Sequence, residues 1–370
     1  MNSKERINLV CQYITPDRPP IDYLAHHKTD KKLKEYLEIK SEEELLDYLG
    51  CDFYYLPGRD ISQNEGFMKF YKGPRLDVTE MERTCPFGIR FKRGAYNCKF
   101  TADEAIRGPL EDAEYESDIL KHRWPRVSDF DFAPLHEECE IHSGRVIIGG
   151  LWTGLMGDSF RLYGFQNFLL NIALKPELIK TLINKVTEVY LELNNAVFSE
   201  LKGKMDIWFF GSDFGSQSGM LISPSMWYEF FFENIKKLTA LAHSYGLKVM
   251  MHSCGSISEI IPYLIEAGVD ILDPIQVTAN KMSPDTLADK FGGKIVFHGG
   301  VDTQQVLPNA SASEVEQHSI FTIKSLGSKG GYIFAPSQLL GPDIPVENIL
   351  AMYKAVNEFK FSISDVKERI

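Results

Sequence analysis

An imidazole and a thiol stand two residues apart in the apolar run LKVMMHSCG, at His252 and Cys254. Residues i and i+2 of a β-strand point to the same side, so both groups face one point if this run is a strand. Zinc accepts imidazole and thiolate ligands, and it needs at least one further protein ligand. The spacing therefore predicts part of a metal site, with a small buried apolar cysteine as the alternative.

A glycine- and serine-rich segment, GSDFGSQSG at 211–219, follows another short apolar run. Glycine allows a backbone to approach a ligand closely, and loops of this kind carry many binding residues. We expect Asp213 and Gln217 to hydrogen-bond a substrate there. The alternative is an aspartate turn that simply begins the next helix.

Polar or ionisable residues stand at the end of nearly all the short apolar runs, as an active-site mouth requires. Loops are polar in most proteins, which is the alternative for any single member of this set. Arg18, in RPPIDY, can bind a carboxylate or phosphate, or can pair with a neighbouring acid. The set comprises Asp22, Trp152, Asp213, His252 with Cys254, Asp273 with Gln276, His298 with Asp302, and Ser337 with Gln338.

The elements that must position these residues alternate regularly after residue 144. Short apolar runs alternate with helical patterns, which indicates parallel strands. Six such units follow residue 144, and RPPIDYL and CDFYYLP can supply two more strands. Eight units predict a closed (β/α)8 TIM-type barrel with an N-terminal elaboration. A doubly wound open sheet is the alternative, but its GxGxxG loop does not occur here.

Two helix starts can be placed from local signals. Ser223 and Pro224 fit the cap and first turn of a helix that Gly246 ends. Ser256 and Glu259 have capping-box spacing after Cys254. Pro262 is awkward inside that second helix, which moves the expected start of regular helix one turn later.

The whole chain fits one barrel domain over residues 1–370, with residues 73–140 as an excursion outside the regular repeat. Its net charge of −11 argues against nucleic acid or an anionic membrane as partner. The six cysteines are scattered and form no CxxC pair, as expected for reduced thiols. With no signal-peptide pattern and no long apolar stretch, we expect a cytoplasmic protein.

The segment from Ser212 to Gln276 resembles the uroporphyrinogen decarboxylase superfamily, and it looks closer to the branch of cobalamin-dependent methyltransferases than to the decarboxylase. The resemblance covers most of residues 15–355 and implies a β/α barrel. Further matching segments, in chain order, are PFGIRFKRGAYN, PLEDAEYESDILKHRWP, RLYGFQNFL, VFHGGVDTQQVLP and GGYIFAPSQLLGPDIPVENILAMY.

The resemblance implies a catalytic zinc held by His252, Cys254 and a third ligand near the last strand. Gln338 stands at that third position, and an amide is a poor zinc ligand. Asp302, Asp213 or a bound thiol substrate remain as candidates for the missing ligand. The decarboxylase's second arginine cluster is absent after Arg18, and Asp52 aligns only loosely with its catalytic aspartate.

The expected activity is methyl transfer between a corrinoid on a partner protein and a small thiol or methyl ether. Asp213, His252 and Cys254 would be catalytic, and the substrate contacts would be Arg18, Trp152, Gln217, His298 and Gln338. A tetrapyrrole decarboxylase of porphyrin biosynthesis is the first alternative. A barrel that binds a small molecule without turnover is the second.

Overall fold

The computed structural model describes residues 1–57, 70–92 and 103–361. Within them the chain forms an α/β fold around a curled, seven-stranded parallel sheet. This architecture is consistent with a TIM-type barrel. Its strands, in their order across the sheet, are β1 (Phe53–Tyr55), β5 (Val146–Gly149), β6 (Ile207–Gly211), β7 (Lys248–His252), β8 (Ile271–Ile275), β9 (Val296–Val301) and β10 (Tyr332–Pro336).

The strands are short and almost wholly buried, as expected for a parallel sheet that is covered on both faces. All seven apolar runs that contain them were predicted as strands from their β-branched and aromatic content. The eighth predicted strand, in RPPIDYL, makes only isolated parallel bridges, at Ile21 and Ala25.

The segment around Ile21 nevertheless connects both edges of the seven-stranded sheet. The N–H of Phe334 in β10 donates to the Pro20 carbonyl, and the N–H of Asp22 donates back to the Phe334 carbonyl. On the other side, the N–H of Asp52 donates to the Ile21 carbonyl, immediately before β1. Residues 20–22 therefore lie between the first and last strands of the sheet.

Fifteen α-helices are described, and many of them follow strands as the alternation predicts. They are α1 (Ser3–Val10), α2 (His27–Leu37), α3 (Glu42–Leu49), α4 (Glu116–Lys121), α5 (Leu135–Ile141), α6 (Leu155–Tyr163), α7 (Phe165–Leu174), α8 (Pro176–Glu200), α9 (Pro224–Trp227), α10 (Glu233–Ser244), α11 (Ile261–Glu266), α12 (Pro284–Phe291), α13 (Val306–Asn309), α14 (Ala312–Leu326) and α15 (Val346–Glu358).

The helix after β7 begins later than its capping-box spacing indicates. Ser256 and Glu259 lie in a turn region, and α11 starts at Ile261 with Pro262 in its first turn. Proline lacks the N–H that an interior position would need, so it fits only at the start of the helix. The capping-box prediction was wrong, and the later start that Pro262 indicated is confirmed.

A separate antiparallel sheet lies between β1 and β5 in the chain, formed by β2 (Glu82–Thr84), β3 (Arg90–Lys92) and β4 (Glu104–Arg107). The last residues of the segment PFGIRFKRGAYN, 93–97, lie outside the described residues, as does Cys98. The single-domain boundary and the N-terminal elaboration stay predictions.

The five cysteines in the described ranges are free thiols: Cys11, Cys51, Cys85, Cys139 and Cys254. Over the same ranges, every helix is too short or too polar to cross a bilayer.

Candidate metal centre

Three potential metal ligands converge at the carboxyl ends of β6 and β7. His252 ends β7 and Cys254 follows it by two residues, so that Sγ of Cys254 lies 3.4 Å from Nε2 of His252. Asp213 arrives from the loop after β6, and its Oδ1 lies 3.4 Å from the same Nε2. One ligand atom from each of the three lies within 4.8 Å of the others. The i, i+2 prediction for His252 and Cys254 thus agrees with their placement.

Glycines make this close approach possible. Gly211 pairs with His252 across β6 and β7, and a Cβ at Gly211 would lie 2.1 Å from the His252 carbonyl oxygen. Gly255 adopts a φ of +87° directly after Cys254 and touches Gly215 of the β6 loop. Larger residues at either place would push the two loops apart, and Asp213 would move away from Cys254.

The His252 ring is fixed by a buried carboxylate on the neighbouring strand. Nδ1 of His252 lies 2.6 Å from Oδ2 of Asp273 in β8. A carboxylate only accepts, so Nδ1 carries the hydrogen and Nε2 faces Cys254 and Asp213. This carboxylate–imidazole arrangement orients the ring of a histidine that binds a metal through its other nitrogen.

In the absence of metal, the neighbouring charges shift the pKa values of His252 and Asp213. Burial opposes a charge on His252, but Cys254, Asp213 and Asp273 together raise its pKa well above 6.5. Burial would likewise raise the pKa of Asp213, whereas the hydrogen bond and charge of His252 and the N–H of Cys254 lower it to about 2. Asp213 is therefore ionised at neutral pH and available as a ligand.

Gln338 contacts the sulfur as a hydrogen-bond donor. Its Nε2 lies 3.0 Å from Sγ of Cys254, and its Oε1 accepts from the N–H of Leu339 at 3.0 Å. The bond to Leu339 defines which end of the amide is the oxygen, so the NH2 end faces the sulfur. This contact positions the Cys254 sulfur and gives Gln338 a role that does not require the amide itself to bind metal.

An aromatic wall stands beside the three ligands. The indole of Trp152, which is 44% exposed, lies 5.6 Å from the His252 ring and 5.1 Å from the ring of Phe209 in β6. Tyr55 of β1 packs edge-on against Phe209 at 5.9 Å. Trp152 is therefore brought to the site as predicted, whereas Phe209 was missed because it lies within an apolar strand that reads as core.

Two other predicted contacts lie elsewhere. His298 is 5% exposed, and its two ring nitrogens lie 2.6 Å from Asp273 and 3.0 Å from Asp22. This burial leaves it no open face for a substrate, so it belongs behind the site. Gln217 donates to the side chain of Gln304 at 3.2 Å, on the rim of the strand ends.

Arg18 lies at the opposite end of the sheet. Its guanidinium binds Asp52 at 2.6 Å, and Asp52 directly precedes β1. His252 ends β7, so Arg18 and the three ligands are at opposite ends of parallel strands. Arg18 thus pairs with a neighbouring acid, which was the alternative to substrate binding. Asp52 lies at the same end of the strands, away from the candidate metal centre, so its loose alignment with a catalytic aspartate does not hold.

The third-ligand candidates can now be separated by their partners. The carboxylate of Asp302 accepts from the backbone N–H groups of Gln304, Gln305 and Val306, and so caps the following turn. Asp213 instead directs Oδ1 at His252 and Cys254. Thiolate, imidazole and carboxylate are a donor set that zinc binds in proteins, so these residues fit that ion.

The protein is therefore of the α/β class, with a candidate metal centre at the carboxyl ends of its parallel strands. A sequence model described as uroporphyrinogen decarboxylase (URO-D) matches residues 142–359, more than half of the chain. The chain belongs to the uroporphyrinogen decarboxylase family.

Individual relatives are distant. Uroporphyrinogen decarboxylases of two Coxiella burnetii strains, Dugway 5J108-111 and RSA 493, are each 21% identical over 274 residues, which covers 70% of this chain and 71% of theirs. The solved structure of a methyltransferase from Methanosarcina mazei superposes with a TM-score of 0.64 at 16% identity, over 97% of this chain and 99% of that one. At this identity the likeness shows the shared fold.

Proposed function

We propose that the protein is a corrinoid-dependent methyltransferase, which moves a methyl group between a cobalamin carried by a partner protein and a small thiol or methyl ether. The convergence of Asp213, His252 and Cys254 on one point carries this proposal. The structural neighbour named as a methyltransferase supports it at the level of the fold. The acidic chain suits a cytoplasmic enzyme that acts on small molecules.

The three ligands and their supports have separate roles. A zinc ion held by Asp213, His252 and Cys254 would act as a Lewis acid, lowering the pKa of a bound thiol or polarising an ether oxygen. Asp273 keeps Nε2 of His252 directed at the site. Gln338 donates a hydrogen bond to the Cys254 sulfur and holds it in place.

The aromatic wall would bind the reacting substrate beside these ligands. Trp152 offers an exposed ring face next to His252, where a flat or apolar group can pack. Asp213, with its side chain 58% exposed, can also orient a substrate that carries a hydrogen-bond donor. A corrin presented from outside the strand ends would meet the same face.

Decarboxylation of a tetrapyrrole is the second candidate, favoured by the name of the curated relatives. A substrate with several carboxylates needs cationic partners in its pocket. Arg18, the arginine that the resemblance offered, is held by Asp52 at the other end of the strands. We therefore rank this activity below methyl transfer.

At the level of the fold, we propose that residues 20–25 act as the eighth strand of a closed barrel. The hydrogen bonds of Pro20, Ile21 and Asp22 to both sheet edges support this assignment. Closure would complete the wall of the site, because Asp22 reaches His298 from this segment.

The function is tested by following the corrin absorption spectrum with zinc-loaded protein. Methylcobalamin is mixed with a panel of thiols, and cob(I)alamin with a panel of methyl ethers. Demethylation or methylation of the corrin is expected in one arm, with loss of the signal in Cys254→Ala. Gln217→Ala is the matched control and should retain most of the signal, since Gln217 lies on the rim.

Uroporphyrinogen is offered in parallel and release of carbon dioxide is measured. Carbon dioxide release, with no corrin change in either panel, would reverse the ranking of the two candidates.

A further inference from the structure

A chain of charged side chains extends from His252 into the interior of the sheet. Oδ2 of Asp273 lies 2.6 Å from Nδ1 of His252, and Oδ1 of the same carboxylate lies 2.6 Å from Nδ1 of His298. Nε2 of His298 in turn lies 3.0 Å from Oδ2 of Asp22. His298 therefore links two carboxylates from β8 and from the N-terminal segment.

The side chains of Asp22, His298 and Asp273 are buried and charged, so the loss of any contact between them would be costly. Asp22 is 1% exposed, His298 5% and Asp273 8%. Carboxylates only accept, so both ring nitrogens of His298 donate and the imidazole is a cation between two anions. Burial lowers the pKa of His298, but the charges and hydrogen bonds of Asp273 and Asp22 outweigh burial and raise it to about 9. A buried carboxylate without such a partner would be costly.

Asp22, the member of this series that lies farthest from His252, is held in one orientation by further contacts. Oδ2 of Asp22 accepts from the hydroxyl of Tyr55 at 2.5 Å, and Oδ1 accepts from the N–H of Tyr23 at 2.8 Å. The backbone N–H of Asp22 is bonded to Phe334 of β10. The position of His298 is thus fixed from the side away from the candidate metal centre.

We propose that His298 is a positioning residue for the metal centre, which acts through Asp273 to hold the His252 ring with Nε2 directed at Cys254 and Asp213. The inference rests on the metal site proposed above. His298 occupies one oxygen of Asp273 and so leaves the other oxygen in a single orientation toward His252. Without that contact, Asp273 can rotate, and His252 loses the partner that orients its ring.

Two variants separate the contacts of His298. In His298→Asn, the amide nitrogen lies near the former Nδ1 and can still donate to Asp273. In His298→Gln, the amide nitrogen lies near the former Nε2, so the bond to Asp22 is kept and the bond to Asp273 is lost. His243→Asn is the matched control, because His243 binds Asp270 at 2.8 Å next to the amino end of β8, away from the site.

The readouts are zinc affinity, measured by chelator competition on metal-free protein, and the absorption spectrum of the cobalt(II) form. We expect His298→Gln to bind zinc about 10–100-fold more weakly and to change the cobalt bands. His298→Asn should stay within a few-fold of wild type, and His243→Asn should match wild type in both readouts. A purely structural role would lower the melting temperature without moving either readout.

Wild-type affinity and spectrum in folded His298→Gln would overturn the inference, and so would equal losses in the Asn and Gln variants. If His298→Gln does not fold, His298→Ala, which removes the donor to Asp273 and leaves room for water, gives the decision, with weaker zinc binding and shifted cobalt bands expected and an unchanged protein contradicting the inference. Absence of metal binding in the wild type would refute the proposed metal site itself, a result distinct from those of the variants.

Discussion

Cys254 is the residue on which the candidate site depends most, and its neighbours explain why it is not an ordinary core cysteine. It is partly exposed, faces an imidazole at 3.4 Å and receives an amide N–H from Gln338 at 3.0 Å. Its pairing with His252 could be predicted from sequence because i, i+2 geometry is local. The choice of Asp213 over Asp302 could not, since it depends on loops from two different strands.

The first prediction concerns the proton that competes with metal at His252. The neighbouring anions raise the pKa of His252 well above 6.5, so metal must displace this proton at neutral pH. Zinc affinity should therefore fall as pH is lowered from 8 to 6, by about tenfold per pH unit for each proton displaced. Asp273→Asn should flatten this dependence, because it removes one of the anions that hold the proton.

Zinc titrations at several pH values measure the effect. A binding constant that does not change between pH 6 and pH 8 would contradict the assignment of His252 as a ligand.

The second prediction concerns Gln338. Replacing it by leucine keeps the approximate size but removes the donor to the Cys254 sulfur. We expect zinc affinity to fall by about tenfold, as is usual when a group that supports a ligand is lost. Gln217→Leu is the control on the rim and should leave affinity unchanged. Equal affinity in wild type and Gln338→Leu would mean that the contact has no role in binding.

At the scale of elements, the strands that carry the site were predictable and the loops between them were not. Short β-branched and aromatic runs such as MDIWFFGSD indicate buried parallel strands from composition alone. Phe230, Phe231 and Phe232 are consecutive and all buried, which a regular α-helix with one apolar face does not allow. The structure accommodates them in a π-helical segment, Tyr228–Phe232, between α9 and α10.

The third prediction tests the spacing of β6 and β7. In Gly211→Ala, the new Cβ would lie 2.1 Å from the His252 carbonyl oxygen, so the strands must separate. We expect a loss of about 1–3 kcal/mol in unfolding free energy, together with weaker metal binding, because Asp213 follows two residues later. Gly144→Ala is the matched control, since a Cβ there meets nothing within 4 Å.

Thermal melting and zinc titration of the two alanine variants check this expectation. A Gly211→Ala protein as stable as Gly144→Ala would show that the contact of β6 with β7 is looser than described.

Across the whole molecule, the two ends of the sheet carry different kinds of carboxylate. At the amino end, Asp52, Asp206 and Asp270 each precede a strand, pair with a cation and accept a backbone N–H from a neighbouring segment. Toward the carboxyl end, Asp213 and Asp273 instead face His252, a candidate metal ligand. This division follows the rule that barrels place stability at the amino end and chemistry at the carboxyl end.

The fourth prediction concerns Asp270 at the amino end. Burial would raise its pKa, but hydrogen bonds from His243 and Val249 and the charge of Lys248 lower it below 3.8. Its stabilising contribution is therefore complete above the pKa of the unfolded state and is lost as pH falls through the lower folded-state pKa. Asp270→Asn should cost about 1–3 kcal/mol at pH 7, and the difference from wild type should shrink near pH 3.

Urea denaturation of both proteins at the two pH values measures this difference, with the exposed Asp289→Asn as control. A gap that widens toward acid pH would contradict the role given to Asp270.

The most direct test of the central claim is the zinc content of protein purified without chelators, measured by elemental analysis. We predict about one zinc per chain in the wild type, none at stoichiometric level in Cys254→Ala, and a marked loss in Asp213→Asn. Asp302→Asn should keep its zinc, because that carboxylate caps a turn and faces no ligand. Zinc-free wild type, or unchanged zinc in Cys254→Ala, would contradict the account.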